Sequence, residues 1–390
     1  MTTGSRRREV EKNDYFRIKT VSRKNYPEKM NNIKAIYLSL LTLVFSLTSC
    51  SEEMQQSLQP VPLAFGKLNQ VMVLADDQLW EGPVGDTMDY YYAAAYPILP
   101  QPEPIFDLRH ISPETLDKDP IRRQLRSFII VANLNDKDSP TTQLVLKDIG
   151  EEKARRAKED PSYNSIVGRD KWAKGQLLIY EFAYSEDELI ENLKNNFPAI
   201  SKRLHDADKE RLEATIFFEG ENRRAMDTIA MEMDTKIRIP ADYYRVPIEA
   251  ENLVWMRKET AELSSNLMLH RIPYEDQSQL TKEGIKAIRD TLGRKYISTS
   301  LPEVDTYMRI NDVDLPMFTT VKTLNNNYAL EARGIWEIVN DYMGGAFVSY
   351  LIHNTEKKEL LFVDGFIHAP GKEKRDFMQQ LEYIMGTIQY

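Results

Sequence analysis

The sequence predicts an α+β fold in which antiparallel sheets are covered by helices, and two observations predict it. Short apolar runs of strand length come in groups, and each group closes on a helical pattern, which places helices over one face of a sheet. The order then recurs: strand, helix, extended segment, two strands and helix are read over residues 67–210 and again over 211–325. Residues 326–390 read as three strands and a helix, part of the same β-α-β-β-α-like unit. Identity between the passes is weak, so the shared order alone carries the expected internal duplication.

Within the first pass, Asn69-Gln70-Val71-Met72-Val73-Leu74 opens as a strand, and residues 76–85 are rich in turn formers. Residues 86–96 read as a helix broken at Pro97. Leu99-Pro100-Gln101-Pro102-Glu103-Pro104 must be extended, because each proline excludes the α region for the residue before it. Residues 105–110, 126–134 and 176–184 are further strands, and a charged helix over 144–160 lies outside. Ser185 starts a helix towards Leu204, with Glu188 placed for a capping box.

In the second pass, 214–218 reads as a strand, 224–233 as a helix and 243–246 as extended. Residues 253–256 and 266–272 form a strand pair, and the helix over 281–292 meets Gly293, a residue that stops helices. Strands over 328–339, 346–354 and 359–367 precede a helix over 372–388. With Glu356-Lys357 as the turn, Val348, Tyr350, Ile352, Leu361, Val363 and Ile367 share an aliphatic face with Gly365. The terminal helix carries Phe377, Leu381, Ile384 and Ile388 on one stripe, so that stripe should cover the aliphatic face. Lys374, Arg375 and Gln379 fall off it.

Ahead of all this stands a different kind of segment. Residues 35–47 are a 13-residue apolar run, preceded by Lys34 and ending at Leu47-Thr48-Ser49-Cys50, the one cysteine. A transmembrane helix needs about 20 apolar residues, so the run has the length of a signal-peptide core. Met30 makes a natural start, and residues 1–29 then read as an upstream extension without hydrophobic periodicity. Residues 30–49 are the signal peptide, and 50–66, with Pro60 and Pro62, a tether.

Leu47-Thr48-Ser49-Cys50 is similar to the lipobox of bacterial lipoproteins. That resemblance implies cleavage between Ser49 and Cys50, a diacylglyceryl thioether on Cys50 and acylation of its new amino group. Ser51-Glu52-Glu53 resembles the acidic export tag of surface-exposed lipoproteins in Bacteroidota. Acyl chains contribute about 0.8 kcal/mol per buried CH₂, so two or three of them make a lasting anchor to the outer membrane. Through Leu79-Trp80-Glu81-Gly82, the proline segment 99–104 and Gly344-Gly345-Ala346-Phe347, residues 60–390 resemble an uncharacterised lipoprotein family of Bacteroidota. The resemblance implies no activity and carries over no catalytic residue.

The whole chain has 51 Lys/Arg against 60 Asp/Glu. Without residues 1–49 the balance is 41 against 56, a net charge of −15. Such a surface repels nucleic-acid phosphates and anionic lipid headgroups, which makes both poor partners. With the cysteine committed to lipid, the body has neither disulfide nor thiol metal site.

Motif chemistry is sparse. The five histidines show no metal-ligand spacing, and His353 and His368, on successive strands, stand more than about 20 Å apart in the hairpin register. No metal and no cofactor are expected. Ser349 faces Asp364 as a hydrogen-bonded pair rather than a catalytic dyad, because no positioned base accompanies it. Gly82-Pro83-Val84-Gly85 lacks the lysine of a phosphate loop and reads as a turn. Asp305, Asp312 and Asp314 lack calcium-loop spacing. Of Tyr90, Tyr91 and Tyr92, at least one must be exposed, since helix neighbours lie 100° apart. The expected function is a lipid-anchored envelope protein that binds another envelope protein or a glycan. The alternative is a hydrolase of envelope or nutrient polymers using paired carboxylates.

Overall fold

The computed structural model describes residues 61–390. Ser49, Cys50, Ser51, Glu52 and Glu53 lie outside the described residues, as do the apolar run and residues 1–29. The described chain starts as an extended segment, with Leu63 bridging Lys174 and Phe65 bridging Leu125. Then follow β1 (Gln70–Leu74), α1 (Asp77–Trp80), α2 (Pro83–Tyr92), β2 (Asp107–Ile111), α3 (Pro113–Lys118) and β3 (Ser127–Asn133). Next come α4 (Pro140–Ile149), α5 (Glu151–Glu159), β4 (Ser165–Arg169), β5 (Leu177–Ala183) and the long α6 (Glu186–Ile216).

These strands form one sheet in the order β2-β1-β3-β5-β4, parallel except for the edge strand β4. Val71, Val73, Ile129, Val131 and Ile179 face α2 and α6, while Met72, Leu74, Phe128, Ile130 and Phe182 face α3, α4 and α5. Burial on both faces explains why β3 and β5 read as continuous apolar runs instead of alternating.

The second sheet takes the rest: α7 (Arg223–Met233), β6 (Tyr244–Arg245), β7 (Leu253–Glu259), β8 (Ser264–Pro273), α8 (Lys282–Tyr296), β9 (Tyr307–Asn311) and β10 (Phe318–Leu324). β11 (Asn327–Val339), β12 (Gly344–Asn354), β13 (Glu359–His368) and α9 (Arg375–Met385) complete it. Its antiparallel order is β10-β11-β12-β13-β8-β7-β6, with β9 sharing an edge of β11 with β10. Val348, Ile352, Leu361 and Val363 pack on α9 and α7, as the stripe on the terminal helix predicts. Phe347, Leu351, Phe362 and Phe366 pack on the opposite side against Ile285 and Leu292 of α8. The hairpin register is the expected one, with Ser349 opposite Asp364 and His353 opposite Leu360.

The α+β class holds, and several elements within it differ from expectation. The repeated element order is not a repeated topology, because the first pass builds a parallel sheet and the second an antiparallel one. Strands from 211–325 and from 326–390 lie in one sheet, joined where β8 pairs with β13. Helices cover both faces of each sheet, because both faces are apolar. Residues 214–216 end α6 instead of forming a strand: no glycine interrupts the helix before Gly220, and Ile216 is buried in the second core. Gly293 lies inside α8, which runs on to Tyr296. A Cβ there would stand 2.5 Å from the Met308 carbonyl, so the glycine permits close contact with β9 rather than ending the helix.

One joint links the two sheets. Glu103, delivered by the proline segment, accepts the first N–H groups of α9 from Lys374 (2.6 Å) and Arg375 (2.8 Å). Arg375 continues to both oxygens of Asp107 on β2, at 3.2 and 2.9 Å. Gln379 exchanges two amide hydrogen bonds with Asn69, at 2.8 and 3.1 Å. Arg375 and Gln379 therefore face the neighbouring sheet, and Lys374 is buried at the start of the same helix.

Leu381 is fully buried beneath the antiparallel sheet. Leu381→Ala should cost about 2–5 kcal/mol in denaturant unfolding. Gln379→Ala leaves the Asn69 carbonyl oxygen without a partner and should cost about 1 kcal/mol. A silent Gln379→Ala would mean that the joint is not formed in solution.

Candidate functional site

In an open parallel sheet, ligands settle beyond the carboxyl ends of the strands, where successive connections leave in opposite directions. Here the chain goes from β1 to β2 on one side and crosses back to β3 on the other, so the switch point lies between β1 and β3. A crevice of about 400 Å³ opens there. Every loop leaving a parallel strand sends a carboxylate into it: Asp76 and Asp77 after β1, Glu114 after β2, Asp136 and Asp138 after β3, and Glu186 after β5.

Two of these six are committed to the fold. The Asp76 carboxylate accepts from the Thr141 amide (3.2 Å), the Thr141 hydroxyl (2.9 Å) and the Ser139 hydroxyl, which ties the β1 loop to the N-terminus of α4. Asp136 accepts from the amides of Asp138 and Ser139, each at 3.2 Å. Asp77, Glu114, Asp138 and Glu186 are exposed, and none of them holds a Lys or Arg partner among the described residues. His110 closes one side, stacked on Trp80 with ring centroids 4.9 Å apart. Its Nε2–H donates to the Ala75 carbonyl at 3.0 Å, and Asp77 lies 3.9 Å away. Among the described residues, no three His, Cys, Asp or Glu side chains lie together closely enough to hold a metal ion. The crevice is an anionic surface that favours cationic groups.

A second cleft of about 580 Å³ lies at the joint. Arg333 makes a two-point contact with Glu382 (2.6 and 2.8 Å) and bonds Glu331 (2.9 Å), while the Tyr96 hydroxyl donates to Glu382. Burial pushes Glu331 up, but Arg333 and Lys322 outweigh it and hold its carboxyl below the usual range. Held ionised by two cations, Glu331 is not a ready proton donor. His205 stacks on Phe106 at the same joint, and burial lowers its pKa.

Ser349 donates to Asp364 at 2.6 Å, and Asp364 also accepts from Arg289 Nε at 3.0 Å. All three are buried, with the Arg289 guanidinium 3.9 Å over the Phe347 ring. The pair is structural, as expected. Arg289 went unread, although a cation on the Ile285/Leu292 stripe of α8 is its sequence signal. His353 stacks on Tyr274 and His368 binds the Gly344 carbonyl, so the structure does not bring them together. Tyr92 is buried while Tyr90 is exposed, as helical spacing requires.

Fold and crevice define a class, a two-sheet α+β protein with an acidic crevice at the switch point of its parallel sheet. Residues 64–217 match the family model described as "Domain of unknown function (DUF8532)", and residues 222–387 match "Domain of unknown function (DUF4837)". The two matches meet at the end of α6, and the second covers the whole antiparallel sheet. No curated protein matches in sequence. Among solved structures, the Ran-binding protein Mog1p of Saccharomyces cerevisiae is similar at 10% identity and a TM-score of 0.27, over 40% of this chain and 89% of that one. A STAR-related lipid transfer protein from Xanthomonas axonopodis is similar at 12% identity and a TM-score of 0.21, over 37% of this chain and 94% of that one. Likeness at this level carries no functional argument.

Glu181, on the α6 side of β5, is the acid most altered by its surroundings. Burial lifts its pKa from 4.5 to about 7, against hydrogen bonds from Ser165 and Asn196. A carboxyl raised in the folded state binds more protons than in the unfolded chain. The contribution of Glu181 to stability is therefore full below pH 4.5 and is lost as pH rises through 7, by about 3 kcal/mol in all. Glu181→Gln should flatten that part of the pH–stability curve and stabilise the protein at pH 8. An unchanged slope would show that other groups set it.

Proposed function

We propose that the chain is a lipid-anchored outer-membrane protein that binds a cationic segment of another envelope protein in the acidic crevice. The carrying observation is the crevice at the carboxyl edge of the parallel sheet, where Asp77, Glu114, Asp138 and Glu186 stand exposed without Lys or Arg partners among the described residues. Leu63 and Phe65 run past Lys174 and Leu125, just ahead of β5 and β3, so the described chain begins along the amino edge. The crevice lies at the carboxyl edge, about 16–23 Å away for strands of five to seven residues. An acyl chain on Cys50, 11 residues before Val61, would tether the described chain to a membrane. The lipobox-like Leu47-Thr48-Ser49-Cys50 and the acidic Ser51-Glu52-Glu53 support this reading, with the tag favouring the cell exterior. Among the described residues, no helix is long and apolar enough to cross a membrane.

The second reading, a hydrolase of envelope or nutrient polymers, draws on the same carboxylates delivered by four loops. Glycoside chemistry needs one of two facing carboxyls kept protonated. The carboxyls with raised pKa values, Glu181, Asp208 and Asp290, all lie outside the crevice. Binding is therefore the better reading. A glycan ligand would draw less on the crevice charges than a basic peptide.

Cys50→Ala should abolish labelling by an alkyne fatty acid, and undiminished label would remove the anchor from the proposal. Protease added to intact cells should degrade the wild-type protein and spare a Glu52→Ala/Glu53→Ala variant. Survival of the wild type until lysis would place the body on the periplasmic side. For the crevice, crosslinked partners from native outer membranes should be lost when Asp77, Glu114, Asp138 and Glu186 are changed to Asn or Gln. Equal recovery, or release of reducing ends from envelope glycans by the wild type alone, would overturn the binding reading.

A further inference from the structure

The amino edge of the parallel sheet carries a group that the fold leaves incomplete. Arg126 stands immediately before β3, and Asp208 and Arg211 lie one turn apart on α6. The Asp208 carboxylate accepts the Asn69 amide at 2.9 Å through one oxygen. Its other oxygen, Nε of Arg126 and Nη1 of Arg211 are all buried and have no hydrogen-bond partner. Neither arginine has a carboxylate within ion-pair distance among the described residues, although most arginines of the two sheets do. Burial, then the charge of Arg211, pulls the pKa of Arg126 down, so the two cations are near enough to oppose each other. The group lies between two clefts: Arg211 lines an open one of about 650 Å³ with Lys67, Lys372, Glu373 and Asp376, and Asp208 lines the one at the joint. The acidic wall of the open cleft is partly spent, since Asp376 accepts from Arg375 and Asn69.

Buried donors left unmade are costly, and two guanidinium groups beside one carboxylate carry an excess positive charge. Water would satisfy the donors without answering that charge. An anion answers both, and the free Asp208 oxygen asks for an anion that brings a proton of its own. Hydrogenphosphate has two or more acceptor oxygens for the arginines and one O–H for Asp208, whereas sulfate has no O–H at neutral pH. We propose that Arg126, Arg211 and Asp208 form a binding site for a protonated phosphate group, free in solution or on a lipid headgroup. The arginine pair stands without the anchor reading. The lipid source alone draws on it, because only an anchored chain would be held near a membrane.

The test uses the full chain with Cys50→Ala, so that no acyl chain contributes. Calorimetric titration with sodium phosphate at constant ionic strength should show saturable binding, with sulfate clearly weaker. Arg126→Gln and Arg211→Gln should each weaken phosphate about tenfold to a hundredfold, the loss of one charged hydrogen bond. Asp208→Asn, which keeps the shape and supplies a donor, should narrow the preference for phosphate over sulfate. That variant tests the site if an arginine variant fails to fold. Flotation with phosphatidic acid vesicles against phosphatidylcholine vesicles separates the sources. Recruitment that inorganic phosphate competes away identifies a headgroup, and phosphate binding without recruitment identifies the free ion. No saturable binding of either, or folded arginine variants that bind like the wild type, would overturn the proposal.

Discussion

The Glu103 carboxylate on the N-terminus of α9 is the contact on which the arrangement of the two sheets depends. A helix leaves its first N–H groups without partners, and they attract an anion. Glu103 takes two of them from a proline-rich loop that the antiparallel bridge between Ala95 and Pro104 closes, so the acceptor belongs to the parallel-sheet side. The same helix buries Met378, Leu381, Ile384 and Met385 on the antiparallel sheet. Its apolar stripe thus belongs to one sheet and its first turn to the other. Arg375 on Asp107 and Gln379 on Asn69 then fix the angle at which the two meet.

The joint is polar where an apolar interface would be easier to form. Arg333, Glu331, Glu382 and Tyr96 are taken largely out of water, and the mutual attraction of such groups roughly offsets the cost of removing them. Their value lies in geometry. An apolar face tolerates sliding, whereas two-point guanidinium contacts such as Arg333 with Glu382 have one register. Arg289 plays the same part inside the antiparallel layer, where it joins α8 to Asp364 and Ser349 across an aromatic face. The charged contacts select one assembly, and the four apolar cores supply the stability.

The C-terminal hairpin was fully legible in the sequence, because a short turn at Glu356-Lys357 fixes the pairing and alternation assigns each side chain to a face. The parallel sheet was legible only as strands. An apolar run such as Phe128-Ile129-Ile130-Val131-Ala132 has no sense of direction, so nothing local distinguishes parallel from antiparallel pairing. The apparent repeat came from that ambiguity. Residues 214–216 misled for a different reason, since their β propensity is overridden by a helix already under way. The edge strands β4, β9 and β10 are short or mostly solvent-facing and leave little periodicity to find. The crevice has no motif, because its carboxylates are spread from Asp76 to Glu186 and only the direction of the strands collects them.

That direction also separates charge. A parallel sheet sends every strand-to-helix loop to one edge and every helix-to-strand loop to the other, so side chains in equivalent loops accumulate at opposite ends. Here the carboxylates follow the strands, while Lys67, Arg126 and Lys174 precede or flank them at the amino edge. Asp76 and Asp136 show why the acidic end takes this form: their oxygens accept the N–H groups at the start of α4 and of its loop, a structural need met by acids. Asp77, Glu114, Asp138 and Glu186 meet no such need. They stand exposed around one crevice without Lys or Arg partners among the described residues. These four residues, unlike the buried Ser349–Asp364–Arg289 group, are open to a cationic partner at that edge.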